Sequence, residues 1–166
     1  MLTILFSMNI KLLIILLALN FYNFSYGSNN KELKVPRFVS LKSNKINIRK
    51  GPGSKYPIIY TIEAKDEPVE IVAEYQNWRK IKDIEGEEGW VLSNMLSGKR
   101  HVVVIKNNIF LYKNDSNKSQ KVAIVEKNVR CKLHSCQNSL CNVTCGSYKG
   151  YIERVNLFGV YKNEKF

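Results

Sequence analysis

Cysteine is absent from the first 130 residues, and the chain has only four, Cys131, Cys136, Cys141 and Cys145. Histidine is scarcer still, with His101 and His134 alone. A nucleophilic cysteine needs a histidine in hydrogen-bond range and a depressed pKa, so any such pair is confined to the surroundings of His134. His101 reads as a surface residue at a linker. No glycine loop of the phosphate-cradling kind appears, no helix carries metal ligands at regular spacing, and no segment has the period of an amphipathic helix. Acids are few: 14 Asp and Glu stand against 26 Lys and Arg, for a net charge of +12. These absences weigh against a helical fold, a nucleotide-phosphate enzyme and a histidine-built metal centre.

What is present begins with an apolar run, Ile10 to Leu19, broken only by Lys11. It is short for a bilayer, since a transmembrane helix needs about 20 apolar residues. A basic residue, an apolar stretch and the small-x-small site Ser25-Tyr26-Gly27 make residues 1–27 a secretory signal peptide, cleaved before Ser28. Met8 is an alternative start. The competing reading is an uncleaved anchor lengthened by Phe21 to Tyr26. No cysteine stands at the cleavage site, which argues against a lipoprotein. Residues 28–36 form a polar linker, and no stable membrane span is expected after cleavage. The location is therefore secreted or periplasmic, at the cell envelope.

The remaining chain suits two small domains, 37–100 and 101–166, each of a size that folds alone but only marginally. Their charge differs: 12 basic against 9 acidic residues in the first, net +3, and 11 against 4 in the second, net +7. Basic surfaces favour polyanions, which outside the cytosol means an anionic surface or wall polymer and not nucleic acid. Part of this charge is also what a chain rich in Lys, Asn and Ile carries as plain solvated surface.

Both halves read as strands. Arg37-Phe38-Val39-Ser40-Leu41 and Ile46-Asn47-Ile48-Arg49 alternate apolar with polar, the period of half-buried strands. Gly51-Pro52-Gly53 forces a turn. Tyr60-Thr61-Ile62, Val69 to Glu74, Asn77 to Lys82 and Gly89 to Leu92 follow, with a hairpin turn over Asp83 to Gly89, a 3₁₀ turn near Ser93-Asn94-Met95-Leu96 and a link over Ser97 to Arg100. A fainter copy comes about sixty residues on. Trp78-Arg79-Lys80-Ile81 matches Leu140-Cys141-Asn142-Val143 at an offset of 62, and Gly89-Trp90-Val91 matches Gly150-Tyr151-Ile152 at 61. One deletion in a turn reconciles the two. Repetition at a fixed period defines the folding unit, and five or six short strands per unit predict an all-β fold of two small barrels in tandem.

The pattern Ile46-Asn47-Ile48-Arg49-x-Gly51-Pro52-Gly53, with Trp78-Arg79 and Gly89-Trp90-Val91 behind it, resembles the bacterial SH3 (SH3b) domain. Arg37 to Lys42, Pro68 to Glu74, Leu96 to Arg100 and Leu157-Phe158-Gly159-Val160-Tyr161 further resemble secreted α-proteobacterial proteins that carry this domain in tandem. The likeness spans Pro36 to Phe166 and is sharper in the first repeat. It implies two SH3-like β-barrels, an extracytoplasmic location and binding of cell-wall components or peptides.

Four cysteines in a secreted chain argue for disulfides. If the segments around them pair as a hairpin, Cys136 and Cys141 flank a four-residue loop within bridging reach. The SH3b resemblance often includes such a pair. Cys131 and Cys145 each lie two residues from an apolar inward position, with a one-residue mismatch that a bulge can absorb. The favoured pairing is Cys136–Cys141, with Cys131–Cys145 second. Zinc is the alternative, but the spacing differs from the short paired knuckles of structural zinc sites. No metal or cofactor is expected.

Binding has better candidates than catalysis. Trp78 and Trp90, with Tyr56, Tyr60 and Tyr75, supply aromatic faces suited to sugars or peptides. Trp90 follows a glycine at the start of a strand, which favours core packing, whereas Trp78 stands near a hairpin tip. Arg49, beside the Gly51-Pro52-Gly53 turn, can meet a carboxylate or serve as an ordinary surface residue. Glu85, Glu87 and Glu88 read as a solvated turn without a partner acid, and the sequons at Asn114, Asn117 and Asn142 as by-products of an Asn-rich chain. The second repeat has lost the Gly-Pro-Gly turn and both tryptophans, so its groove should be the poorer one. The expected function is a non-catalytic module that binds cell-wall peptide, glycan or an envelope protein. A charge-recruited envelope scaffold is the alternative, and an enzyme such as a wall hydrolase a distant third.

Overall fold

The computed structural model describes residues 33–115 and 120–165. The expected signal peptide, residues 1–27, lies outside the described residues, as does most of the expected linker. Among the described residues no helix is long and apolar enough to cross a membrane.

Among the described residues fourteen strands follow one another: Arg37–Leu41 (β1), Ile46–Arg49 (β2), Ile58–Ile62 (β3), Pro68–Tyr75 (β4), Trp78–Lys82 (β5), Glu88–Leu92 (β6), Leu96–Ser97 (β7), His101–Val104 (β8), Ile109–Tyr112 (β9), Lys121–Val125 (β10), Arg130–Gln137 (β11), Leu140–Cys145 (β12), Tyr148–Glu153 (β13) and Leu157–Phe158 (β14). One 3₁₀ turn, Ser93–Met95, precedes β7 and another, Arg154–Asn156, precedes β14. The strands form two seven-stranded sheets. The first has the order β3-β2-β6-β5-β4-β1-β7 and the second β10-β9-β13-β12-β11-β8-β14, the same order seven strands on.

The likeness reaches individual residues. In both halves the first hairpin strand carries one extra residue at the same place. Val72 is skipped between the pairs Ile71↔Ile81 and Ala73↔Lys80, and His134 between Leu133↔Val143 and Ser135↔Asn142. Such bulges bend and twist a sheet locally, which helps a small sheet to curl. Gly89 and Gly150 also correspond. A β-carbon on Gly89 would lie 2.3 Å from Ile48 Cγ2, and one on Gly150 would lie 2.4 Å from the Tyr112 carbonyl oxygen. Both glycines thus permit the close crossing of the sixth strand of a repeat over its second.

Each repeat buries its own core. Val39, Leu41, Ile46, Ile48, Val69, Ile71, Ile81 and Val91 form the first. The second includes Val102, Val104, Leu111, Leu133, Val143 and Ile152, together with all four cysteines. Alternation along β1 fails, because Phe38 and Ser40 are as buried as their inward neighbours. The second repeat covers them. Phe38 meets Phe158 edge-on at 5.2 Å between ring centroids and Tyr161 at 4.7 Å. Ser40 Oγ accepts the His101 amide at 3.0 Å. His101 is thus part of the contact between repeats, not the free linker residue its position suggested. Arg130 also reaches Glu67 in an ion pair, and the Tyr161 hydroxyl donates to Glu70 at 2.6 Å.

The link itself is partly buried. Arg100, with its side chain only 8% exposed, bridges to Glu164 at 2.6 Å and donates to the Gly159 carbonyl at 2.6 Å. It fastens the C-terminal tail to the junction of the two repeats.

Candidate binding surface

Residues directly opposite one another in an antiparallel pair project from the same side of the sheet. In the first repeat Tyr75 faces Trp78, Trp78 faces Leu92, Lys80 faces Trp90, and Trp90 faces Arg49. The alternate positions Ile48, Ile81, Gly89 and Val91 are buried inside. Trp78, Trp90, Tyr75, Lys80 and Arg49 therefore share the outer face of β2, β6, β5 and β4.

Trp90 corrects the expectation of a core residue. It is only half-buried and lies on the outer face, because Gly89 and Val91 on either side take the inward positions. Trp78 is likewise half-buried and Tyr75 exposed. Arg49 is engaged within its own loop: its Nη1 donates to the Tyr56 carbonyl at 2.7 Å, while the exposed Tyr56 ring packs over Gly51 and Gly53. Tyr60 stands apart from this group, opposite the inward Ile48 and packed against the core. Burial, then the nearby Asp83, Glu87 and Glu85 carboxylates, push its phenol well above the ordinary tyrosine range. Of the six sequence candidates, Trp78, Trp90, Tyr75 and Arg49 share one face, Tyr56 braces its edge, and Tyr60 belongs to the interior.

The same face of the second repeat has different chemistry. Register places Gln137 at the position of Tyr75, Leu140 at Trp78, Asn142 at Lys80 and Tyr151 at Trp90. Shorter side chains open a cleft of about 220 Å³ there, lined by Ser135, Gln137, Ser139, Leu140, Asn142 and Tyr151 among others. The second repeat thus carries a cleft on this face. The loss of the tryptophans empties the site and lines it with amides and hydroxyls. The amide-rich run Gln137-Asn138-Ser139 with Asn142 is the sequence signal for it.

One row along, Glu70 faces Lys82 and Lys82 faces Glu88 in the first repeat, with Glu88 also paired to Lys80 at 2.5 Å. The equivalent row in the second is Lys132, Thr144, Lys149. Both acids have become lysines, and both lysines are exposed. His134, whose Nε2 lies 2.7 Å from Thr144 Oγ1, stands beside them. Burial and the charges of Lys149 and Lys132 hold its imidazole below the usual histidine value.

Disulfides join Cys131 to Cys145 and Cys136 to Cys141, each pair directly opposite across β11 and β12. All four thiols are therefore committed, and His134 bonds a threonine.

Two sheets of one strand order, each closed by a 3₁₀ turn and a short seventh strand, make this an all-β protein of tandem SH3-like modules. Residues 42–98 match the family described as the bacterial SH3 domain. No curated protein matches the chain. Among solved structures, the chain is similar to NlpC2 from Trichomonas vaginalis, at 16% identity and a TM-score of 0.36, over 81% of this chain and 52% of that one. It is similar to NlpC1 from the same organism at 16% identity and a TM-score of 0.36, over 76% and 46%. A third is an NlpC/P60 family protein from Bacillus cereus, at 15% identity and a TM-score of 0.33, over 73% and 55%. The chain spans about half the length of these proteins.

Proposed function

We propose that the protein is a non-catalytic, extracytoplasmic binding module that recognises cell-wall peptide or glycan, or an envelope protein, through its first repeat. The observation that carries this reading is the placement of Trp78 and Trp90 on the outer face, outside the core, beside Tyr75 and Arg49. Aromatic faces beside a cation suit sugars and peptides that carry carboxylates. Two disulfides in a small domain support an oxidising compartment. Secretion through a signal peptide predicts a mature N-terminus at Ser28, which N-terminal sequencing of the exported protein checks.

Co-sedimentation with purified peptidoglycan and with envelope extract tests the binding reading. Trp78→Ala should reduce retention at least fivefold while the circular dichroism and melting temperature stay unchanged. Full retention by that variant removes the first repeat from the proposal, and turnover in a wall-hydrolase assay removes the non-catalytic part.

A second reading, recruitment by charge, is favoured by the Lys132 and Lys149 row. It predicts binding that survives Trp78→Ala and disappears in high salt, because screening shortens electrostatic reach to about 8 Å at 0.15 M and about 3 Å at 1 M.

A further inference from the structure

The amide-lined cleft of the second repeat contains a buried acceptor without a partner. Asn142 Oδ1 is shielded from solvent and makes no hydrogen bond among the described residues. A buried acceptor left unmade costs stability unless something supplies a donor. Ser135, Gln137, Tyr151 and Asp115 line the same cleft. Amides, hydroxyls and a carboxylate accept from and donate to neutral hydroxyl groups. The carboxylate disfavours a bare anion in the cleft itself.

The cationic row begins two residues along the same face. Asn142 and Thr144 lie about 7 Å apart on β12, from a rise of about 3.3 Å per strand residue, and Thr144 is flanked by Lys132 and Lys149. A ligand seated in the cleft thus presents its neighbouring groups to two lysines that have no acidic partner among the described residues. In the first repeat, Lys80 fills the position of Asn142, and Glu70 and Glu88 fill those of the lysines.

We infer that the outer face of β11, β12 and β13 is a second binding site, specific for an acidic glycan. A hydroxyl-bearing sugar occupies the cleft against Asn142 and Tyr151, and a carboxylate or phosphate on the adjoining part of the chain meets Lys132 and Lys149. This site stands independently of any role of the first repeat.

Calorimetric titration of the purified, disulfide-intact protein tests it with four probes: hexagalacturonate, a phosphorylated mannan oligosaccharide, chitohexaose as a neutral chain, and poly-aspartate as charge without sugar. At least one of the two acidic glycans should bind ten times more tightly than chitohexaose or poly-aspartate, and which one does so distinguishes carboxylate from phosphate. Asn142→Leu should weaken that binding at least tenfold while leaving the melting temperature unchanged or raised, because it removes an unsatisfied acceptor. Asn142→Lys, which places the first repeat's residue at this position, should also weaken it. Lys132→Glu with Lys149→Glu should erase the preference for the acidic over the neutral chain, and Trp78→Ala should change none of these affinities. Failure of both acidic glycans at millimolar concentration overturns the inference. So does equal binding of poly-aspartate, or an unchanged affinity in both Asn142 variants.

Discussion

At the tip of the β4–β5 hairpin, Glu74 and Arg79 face each other and form an ion pair at 3.0 Å; at the same position in the second repeat stand Cys136 and Cys141, joined covalently. Val69, paired with Val39 in the first core, is matched by Cys131, paired with Val102 and bridged to Cys145. Strand order and bulges are kept, while the means of holding the hairpin has changed from packing and charge to covalent staples. A stapled hairpin relies less on its outer face for stability. There the large Trp78 and Lys80 give way to Leu140 and Asn142, and a cleft opens. In the first repeat the outer face is filled with aromatic surface; in the second it is hollow, polar and bordered by cations.

Reduction of the disulfides should break the comparison most severely. The Cys131–Cys145 bridge closes a loop worth about 3 kcal/mol in the chain-entropy description, and the shorter Cys136–Cys141 loop about 2 kcal/mol. Their sum is comparable to the whole stability of a domain of this size, about 0.05–0.15 kcal/mol per residue. Both tryptophans belong to the first repeat, so their fluorescence reports that repeat alone. Under reductant, hydrogen exchange should show β11 and β12 losing protection, while the urea midpoint of tryptophan fluorescence moves far less. Equal shifts in both signals would show that the repeats unfold as one unit.

Much of this contrast is legible in the sequence because strands write themselves with period two. Ile46, Ile48, Ile81 and Val91 announce their inward faces, and the offsets of 62 and 61 align the two repeats. The outer face is harder to read. Phe38 and Ser40 look like solvent positions by alternation, yet the second repeat covers them, through contacts between segments 61 residues apart for Ser40 with His101 and about twice that for Phe38 with Phe158 and Tyr161, which no local pattern encodes. Trp90 reads as a core residue because it follows a glycine at the start of a strand, yet that glycine and Val91 take the inward positions and leave the tryptophan on the outer face. Replacement of tryptophan by leucine and tyrosine reads as loss, although removing bulk is what makes a cleft.

Next in size should be Arg100→Ala. Removing one member of a buried ion pair costs about 3 kcal/mol, and this arginine also holds the Gly159 carbonyl and lies 5.8 Å from the Phe38 ring centroid. Thermal unfolding followed by tryptophan fluorescence and by far-ultraviolet dichroism should then separate into two transitions, the mark of uncoupled repeats. Gly150→Ala should follow at about 2 kcal/mol, within the range for overpacking. Gly89→Ala should cost a similar amount. The added methyl at Gly150 meets a backbone oxygen, and at Gly89 it meets Cγ2 of the fully buried, β-branched Ile48 at 2.3 Å and the Arg49 carbonyl oxygen at 3.1 Å, neither of which yields easily. Chemical denaturation of the two variants checks this, and a loss at one glycine alone would show that only that crossing is tight.

The smallest effect expected is on pH dependence, and it distinguishes the two acids at the junction between repeats. Burial alone would raise the Glu164 carboxyl, but the Arg100 hydrogen bond, the Tyr161 amide and the charges of Arg100 and Arg154 together hold it below the usual carboxylate value. A carboxyl depressed by folding stabilises the fold fully above its unfolded value, and this contribution fades as pH falls through the folded one. Glu67 behaves oppositely. Its burial outweighs the lowering by Arg130, its carboxyl is raised, and its contribution declines as pH climbs from the unfolded to the folded value. Glu164→Gln should therefore flatten the acid side of the stability profile, with the tail over residues 159–165 exchanging amide hydrogens rapidly even at neutral pH. Glu67→Gln should instead remove the opposing slope, leaving stability to fall more steeply toward acid. Urea midpoints measured from pH 3 to pH 7 check both signs, and a Glu164→Gln profile parallel to that of the unmodified protein would show that the tail clamp is not held by its charge.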